Sequence, residues 1–369
     1  MKKLNVSLVQ LCTLMLLFLT GSTIVVGLNF SAQQDSLLAM LIDLVIGLIV
    51  FYGYIFIVQK SDWKGFADLL KMAFGSFLAK WVGVLYSLYF IYLAGRVTID
   101  FAYFISQILH QNSPVWVIAI SFLFVVVYCL MLGFEAVARS SEVMVFFFLL
   151  LIVILWGLGF FSEEFELKYL GPLFTQGWKK LGDMIFPTGI TFPYGELVAF
   201  IVLLPSVRDR EKMKQVVWLP LVISAFIIIV TMELIIGILH TPFASFYFFP
   251  FVKAMELVSY LDLIEHLEIF TTLLLLSGGF VKVTVFLYAA QVTFNQLFHI
   301  KRRIWHPIVF VAVMLFLSLF RSQNLVEHLF VGLKQVPYYL HLPFQFIIPF
   351  VLGVLVFWKA RGKKSKMHM

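Results

Sequence analysis

The chain contains 369 residues, of which 62% are hydrophobic and 13% are charged, and its formal net charge is +7 at pH 7. A soluble domain carries about 25% charged residues, so this composition excludes a soluble globular protein. It predicts an all-α membrane protein. No nucleic-acid partner is expected, because the basic residues fall in loops between apolar stretches. Cys12 and Cys129 both lie in apolar runs, which favours packing roles over a disulfide or a metal site.

A membrane-spanning helix needs about 20 mainly apolar residues. Ten stretches meet this requirement, and we predict spans at residues 5–28, 37–58, 82–109, 115–133, 142–161, 184–204, 216–239, 268–297, 305–320 and 337–358. Most Lys and Arg residues then share one side of the membrane with both termini, which predicts that the termini are cytoplasmic. We expect one polytopic domain, residues 1–369, in a lipid bilayer.

Three segments outside the spans carry patterns of their own. In residues 61–79, apolar positions recur at three and four residues, which predicts a helix in the cytoplasmic interface. Residues 252–260 predict a short helix at the outer face. Residues 359–369 form a basic tail, whose expected role is orientation and attraction to anionic lipid.

The sixth predicted span is interrupted by two glycines, a proline and an acid in the run Thr188-Gly189-Ile190-Thr191-Phe192-Pro193-Tyr194-Gly195-Glu196. In hydrocarbon, irregular backbone persists only where protein or a cavity satisfies its polar groups. Ten spans divide into five and five, and an odd number per half predicts an inverted repeat with binding residues at such breaks. The alternative is a proline kink without a ligand, but a kink alone does not explain the acid.

In an inverted repeat the first span corresponds to the sixth, and it carries Thr20, Gly21 and Ser22 past its middle. Small residues here indicate either a second break or helix packing alone. Helix N-termini at two breaks offer amide donors to a carboxylate, and Glu196 or open carbonyls could hold an ammonium group. We therefore expect a zwitterionic amino acid as ligand, with Phe192 and neighbouring aromatic residues limiting the space for its side chain.

Charged residues inside the spans are costly and should be paired or functional. Arg96 and Asp100 lie four residues apart on one face of span three, and we expect them to pair with each other. The alternative is that Arg96 or Tyr92 lines the ligand chamber. Asp43 and Glu233 are single acids, expected near a span end or paired with a neighbouring helix.

Lys282 lies near the middle of span eight, after Ser277-Gly278-Gly279. Two interpretations stay open for a lysine at this depth. It either balances a buried acid, for example Glu196, or occupies the place of a cation in a Na⁺-driven relative.

Several motifs together resemble the spore germination receptor B subunits, and the similarity covers nearly the whole chain. The motifs are Phe192-Pro193-Tyr194-Gly195-Glu196 followed by Pro205, Leu170-x-Pro172-x4-Gly177, Gly75-x4-Lys80-Trp81-x-Gly83, Pro250-Phe251-Val252 and Glu265-His266-Leu267-Glu268. Members of this family look like amino acid–polyamine–organocation transporters, with ten spans and the broken first and sixth helices of the LeuT-like 5+5 inverted repeat.

The resemblance implies a place in the spore inner membrane, in a complex with an A subunit and a lipoprotein C subunit. The B subunit of that complex is taken to bind the nutrient germinant, often an amino acid. The family's breaks carry over onto Gly21 and Ser22 in span one, and onto Gly189, Phe192, Gly195 and Glu196 in span six.

We therefore predict a germinant-sensing, transporter-like subunit that binds its ligand between spans one, three, six and eight. The main alternative is a proton- or cation-coupled amino acid permease, with Asp43, Glu196 or Glu233 carrying the proton. A third possibility is an assembly scaffold with an inactive pocket. A membrane enzyme is disfavoured and no cofactor is expected, because the sequence contains no metal-ligand cluster and no nucleophile constellation.

Overall fold

A computed structural model describes residues 4–26, 34–108, 113–174, 177–241, 243–258, 266–301, 303–319 and 324–367. Within these ranges the regular structure is helical, apart from one isolated bridge between Val6 and Val207. The α-helices are α1 (Leu8–Thr20), α2 (Thr23–Val26), α3 (Ser36–Lys60), α4 (Phe66–Ile108), α5 (Val115–Leu132), α6 (Phe134–Phe160), α7 (Gly177–Met184), α8 (Arg210–Val216), α9 (Trp218–Leu239), α10 (Pro250–Leu257), α11 (Glu268–Leu297), α12 (His306–Leu319), α13 (Leu325–Phe330) and α14 (Ile348–Met367).

Seven of the described helical segments are long and apolar enough to cross a membrane, so the chain is an all-helical, multi-pass membrane protein. They are Ser36–Lys60, Phe66–Ile108, Val115–Leu132, Phe134–Phe160, Arg210–Leu239, Glu268–Leu297 and Pro337–Ala360. The first and ninth predicted spans contain shorter apolar helices, Leu8–Thr20 and His306–Ser318. The sixth contains no long helix, so the count of ten spans stays a prediction.

Several boundaries differ from the sequence-based expectations. Helix α4, which contains the third predicted span, begins at Phe66 rather than near residue 82, and it includes much of the predicted interfacial segment. Its backbone leaves the helical region at Gly75, where φ is 77°, a value that glycine adopts without strain. The short helix expected at 252–260 is Pro250–Leu257, and residues 259–260 lie outside the described part of the chain.

The tenth predicted span is part of a longer helical stretch than its apolar run indicated. It begins with Leu325–Phe330, continues as π-helix through Val331–Gln335 and Pro337–Ile347, and ends as Ile348–Met367. Residues 325–336 lie between the ninth and tenth predicted spans, where we predict no helix from the sequence. Their helical structure brings His328 and Gly332 next to Arg96 of span three.

The sixth span is divided into short pieces of different helical type. Helix α7 ends at Met184 and is followed by π-helix over Ile185–Gly189, a turn, and 3₁₀-helix over Gly195–Val202. Such changes of helical type within a span leave backbone groups without regular partners. The break therefore lies where the glycines and proline predicted it.

Helix α11 is the most deeply buried of the long helices and packs against α4, α1 and α6. Ser7 caps α1 with a reciprocal pair of bonds to Gln10, at 3.0 and 3.1 Å. Just before it, Val6 accepts from the Arg208 amide and donates to the Ser206 carbonyl, each at 3.0 Å. The start of span one is thereby tied to the end of the broken sixth span.

Candidate functional site

A buried ion pair links span eight to the break in span six. Lys282 Nζ lies 2.6 Å from Glu196 Oε2, and both side chains are almost completely excluded from solvent. The same ammonium group donates to Ser22 Oγ of span one at 3.2 Å and lies 4.3 Å from the centre of the Phe192 ring. The interpretation of Lys282 as the partner of a buried acid therefore agrees with the geometry, and one cation joins spans one, six and eight.

The break in span one rests directly on α11. A Cβ atom at Gly21 would lie 2.2 Å from the Gly278 Cα atom, closer than two such atoms can approach. The next residue, Ser22, accepts from Lys282, whereas the Thr20 hydroxyl donates to the Leu16 carbonyl at 2.7 Å within its own helix. Gly21 thus has the packing function that the sequence left open, and Thr20 supports the helix end.

The two glycines of span six admit side chains from neighbouring helices. A Cβ atom at Gly189 would lie 2.3 Å from Asp43 Oδ2, and one at Gly195 would lie 2.1 Å from Gln345 Oε1. Just before Gly189, Thr188 Oγ1 donates to the Leu333 carbonyl at 2.9 Å. Each glycine is therefore required by a close approach, and Thr188 connects the break to the last helical stretch.

Asp43 does not have the environment that the sequence predicted. Its side chain is buried against the break rather than placed near a span end. Within the described part of the chain, neither carboxylate oxygen has a hydrogen-bond partner. A buried carboxylate without a partner carries a high desolvation cost, which makes it a candidate for proton binding.

The expected pair between Arg96 and Asp100 is not formed. Asp100 Oδ1 instead contacts His328 Nε2 at 2.7 Å, and Arg96 donates to the His328 backbone carbonyl at 2.8 Å. The guanidinium group also covers Gly332, where a Cβ atom would lie 1.9 Å from it. The prediction was wrong because helical residues outside the predicted spans supply His328 as the partner of both side chains.

Two cavities adjoin these residues and share Arg96. The break cavity, about 50 Å³, lies beside the break in span six. Its polar lining residues are Ser22, Arg96, Asp100, Thr188, Glu196 and His341. The lateral cavity, about 360 Å³, lies between α4, α12 and α13, and its lining includes Tyr92, Arg96, Glu327 and His328. The structure thus brings Ser22, Arg96, Thr188, Phe192 and Glu196 together and places Tyr92 on the other side of Arg96.

A second polar network reaches the break cavity from the last helical stretch. Tyr89 shares a hydrogen bond with His341 Nδ1 at 2.8 Å and accepts another from Gln345 Nε2 at 2.9 Å. Gln345 in turn covers Gly195, the residue before Glu196. This network connects span three to the break in span six.

The sequence-based predictions assign no role to His328, Gly332 or His341. One signal was available: Asn324 followed three residues later by Glu327 is typical of a helix start. In the structure the Asn324 side chain accepts from the Glu327 amide at 2.8 Å, so a helix begins there. No comparable signal indicates which side chains His328 meets.

A family profile described as spore germination protein matches residues 5–326. The chain belongs to the spore germination protein family. This membership confirms the resemblance to the receptor B subunits. The chain is 29% identical to spore germination protein KB of Bacillus subtilis (strain 168), over 99% of this chain and 98% of that protein. It is 22% identical to spore germination protein B2 of the same organism, over 77% of each chain.

Among solved structures, the fold of this spore germination protein is similar to that of a manganese transporter from Eremococcus coleocola in complex with an aromatic bis-isothiourea substituted compound. The TM-score is 0.54 with 12% sequence identity, over 95% of this chain and 74% of that chain. At this low sequence identity the comparison shows only that the two folds are similar. Among the described residues, no group of three or more His, Cys, Asp or Glu side chains could hold a metal ion.

Proposed function

We propose that the chain is the nutrient-sensing subunit of a spore germination receptor and binds an amino acid or similar small molecule beside the breaks of spans one and six. The observation that carries this proposal is the buried contact of Lys282 with Glu196 and Ser22, which joins three spans at one polar cavity. Family membership and a transporter-like fold support it.

The proposal also includes the membrane location and the arrangement of the spans. We place the chain in the spore inner membrane as one domain of ten spans, arranged as a LeuT-like 5+5 inverted repeat with both termini cytoplasmic. The A and C subunits of the receptor would be its partners. The relatives described as spore germination proteins support this assignment.

The chemistry of the break cavity suits a zwitterion. Its lining includes the cation Arg96 and the acids Asp100 and Glu196, so both charges of an amino acid have counterparts there. A ligand that engages Glu196 competes with Lys282 for the same carboxylate. Because the Lys282–Glu196 contact holds span six against span eight, this competition changes the relative stability of two helix arrangements. A ligand shifts such an equilibrium by its difference in affinity for the two arrangements.

A proton-coupled amino acid permease is the second candidate, and Asp43 favours it. Its buried carboxylate lies against Gly189 without a hydrogen-bond partner in the described part of the chain, as a proton carrier at a moving break would require. Lys282 would obstruct a Na⁺ site but not a proton path. Uptake of labelled amino acids into proteoliposomes, with and without a proton gradient, separates a permease from a sensor.

Replacing Glu196 with glutamine should shift or abolish the nutrient response of spores, because the amide keeps the shape of the side chain but removes the charge shared with Lys282. We expect the germinant concentration for half-maximal response to rise about ten-fold or more, the effect of losing one charge-assisted contact. Germination is measured across a titration of candidate amino acids, and subunit abundance is measured by blot.

Glu256→Gln is the matched control, since Glu256 contacts Lys253 at 3.0 Å in a partly exposed pair. This variant should respond as the parent spores do. An unchanged response in Glu196→Gln spores at normal abundance would contradict ligand sensing at the break, and the interruption of span six would then be a structural kink.

A further inference from the structure

We propose that the lateral cavity is a binding site for a zwitterionic amino acid with an apolar side chain, which docks there before the break cavity opens. This inference rests on the proposed function, since it names where the sensed nutrient first binds. The lateral cavity is distinct from the break cavity and shares only Arg96 with it among their lining residues.

The two cavities differ in size. The break cavity, about 50 Å³, has room for a few water molecules, because one water needs roughly 10–15 Å³ of such volume. The lateral cavity, about 360 Å³, falls within the range of small-molecule sites, roughly 300–1,000 Å³. In the conformation described, an amino acid therefore fits beside α12 and α13 but not beside Glu196.

The lateral cavity is lined by charged residues of both signs. Arg96 and Glu327 both line the lateral cavity, yet no ion pair joins them within the described part of the chain. Arg96 donates one hydrogen bond to the His328 carbonyl. A guanidinium group has five N–H donors, so further donors can bind a ligand. Opposite charges held apart on the walls of one cavity complement a molecule that carries both. The ligand carboxylate would face Arg96 and its ammonium group would face Glu327.

The other lining residues determine which side chains of an amino acid fit in the cavity. Four apolar residues, Ile99, Leu317, Phe330 and Val331, line the cavity together with the polar residues Ser318 and Gln335. An apolar side chain packed against these four residues is stabilised in proportion to the apolar surface that it removes from water. Amino acids with small or branched apolar side chains therefore fit better than charged ones.

Arg96 connects this site to the break. Its guanidinium group lies over Gly332 and lines both cavities, so it forms part of the wall between them. A carboxylate bound on the lateral side competes with the His328 carbonyl for the donors of Arg96. Movement of this one side chain would join the two cavities, and the ligand could then reach the polar groups around Glu196.

The test uses two substitutions that are two residues apart on the same helical stretch. Val331 lines only the lateral cavity and Leu333 lines only the break cavity, and both are partly buried. Binding of tritiated L-alanine, L-valine and L-leucine is measured on the purified full chain in lipid nanodiscs. We expect Val331→Phe to weaken binding about ten-fold or more, and Leu333→Phe to change it less than about three-fold.

Glu327→Gln tests the ammonium contact without disturbing packing, since Glu327 is an exposed residue. We expect it to weaken binding of the amino acid about two- to five-fold, and to leave competition by the N-acetyl amino acid, which has no ammonium group, unchanged. This variant also keeps the proposal falsifiable if Val331→Phe fails to fold. A melting temperature close to that of the parent protein confirms folding of each variant.

The outcomes separate the two proposals. If the parent protein binds and Leu333→Phe abolishes binding while Val331→Phe and Glu327→Gln do not, the lateral site is overturned and the break site stands. If Val331→Phe and Glu327→Gln both weaken binding, the lateral site is supported. If the parent protein binds none of the three amino acids, both the lateral site and the sensing of apolar amino acids are overturned.

Discussion

Replacing Lys282 with methionine should lower the free energy of unfolding by about 3–5 kcal/mol, because the substitution leaves the Glu196 carboxylate buried without its cation. Both side chains of this pair are almost inaccessible to solvent, so water cannot compensate for the loss. Methionine has a similar length and is apolar, so the change in packing is small. Thermal unfolding of the purified protein in nanodiscs and subunit abundance in spores are the two measurements.

The double variant Lys282→Met with Glu196→Gln distinguishes a lost charge from lost packing. With both charges removed, the site contains a neutral amide and an apolar chain, and most of the stability should return. Abundance should then recover while the nutrient response stays impaired. A response restored together with abundance would argue that the pair is purely structural.

Lys253→Met supplies the control for this measurement, since Lys253 contacts Glu256 at 3.0 Å in a partly exposed pair on α10. Exposed pairs contribute roughly 0–1 kcal/mol, so the control should unfold close to the parent temperature. Equal stability of Lys282→Met and Lys253→Met would show that the Lys282–Glu196 contact is solvated, contrary to its burial here.

Replacing Gly278 with alanine should destabilise the protein by about 1–3 kcal/mol or more, because the added methyl group has no space. A Cβ atom at this position would lie 2.0 Å from the Gly21 Cα atom and 2.9 Å from the Leu17 carbonyl oxygen. Both neighbours are backbone atoms, so α1 and α11 would have to separate. Because Ser22 follows Gly21, their separation would also move Ser22 away from Lys282 and impair the nutrient response.

Gly53→Ala is the matched control, since Gly53 lies within α3 and a Cβ atom there would meet nothing within 4 Å. Alanine in a helix interior is favoured over glycine by about 1 kcal/mol, so this variant should be as stable as the parent or more stable. Melting temperatures of the two variants in nanodiscs give the comparison. Equal stability would mean that α1 and α11 do not touch at Gly21 and Gly278.

The sequence by itself determined the class of the protein and the position of the break. Long apolar runs predict membrane helices directly, because lipid admits few alternatives for the backbone. Gly189, Pro193 and Gly195 marked the interruption of span six for the same reason, and the structure changes helical type there. Composition and local pattern suffice for these features, since each depends on residues close together in the chain.

Only the tertiary structure decided which charged groups meet. Successive residues of a helix point about 100° apart, so a small rotation of one helix exchanges one partner for another. Sequence alone could not choose between the open roles of Lys282, and it assigned Asp100 to Arg96, whereas His328 takes that place. Asp43, expected to be paired or near a span end, lies buried against Gly189. These contacts join residues far apart in the chain, and they depend on how the helices are rotated and packed.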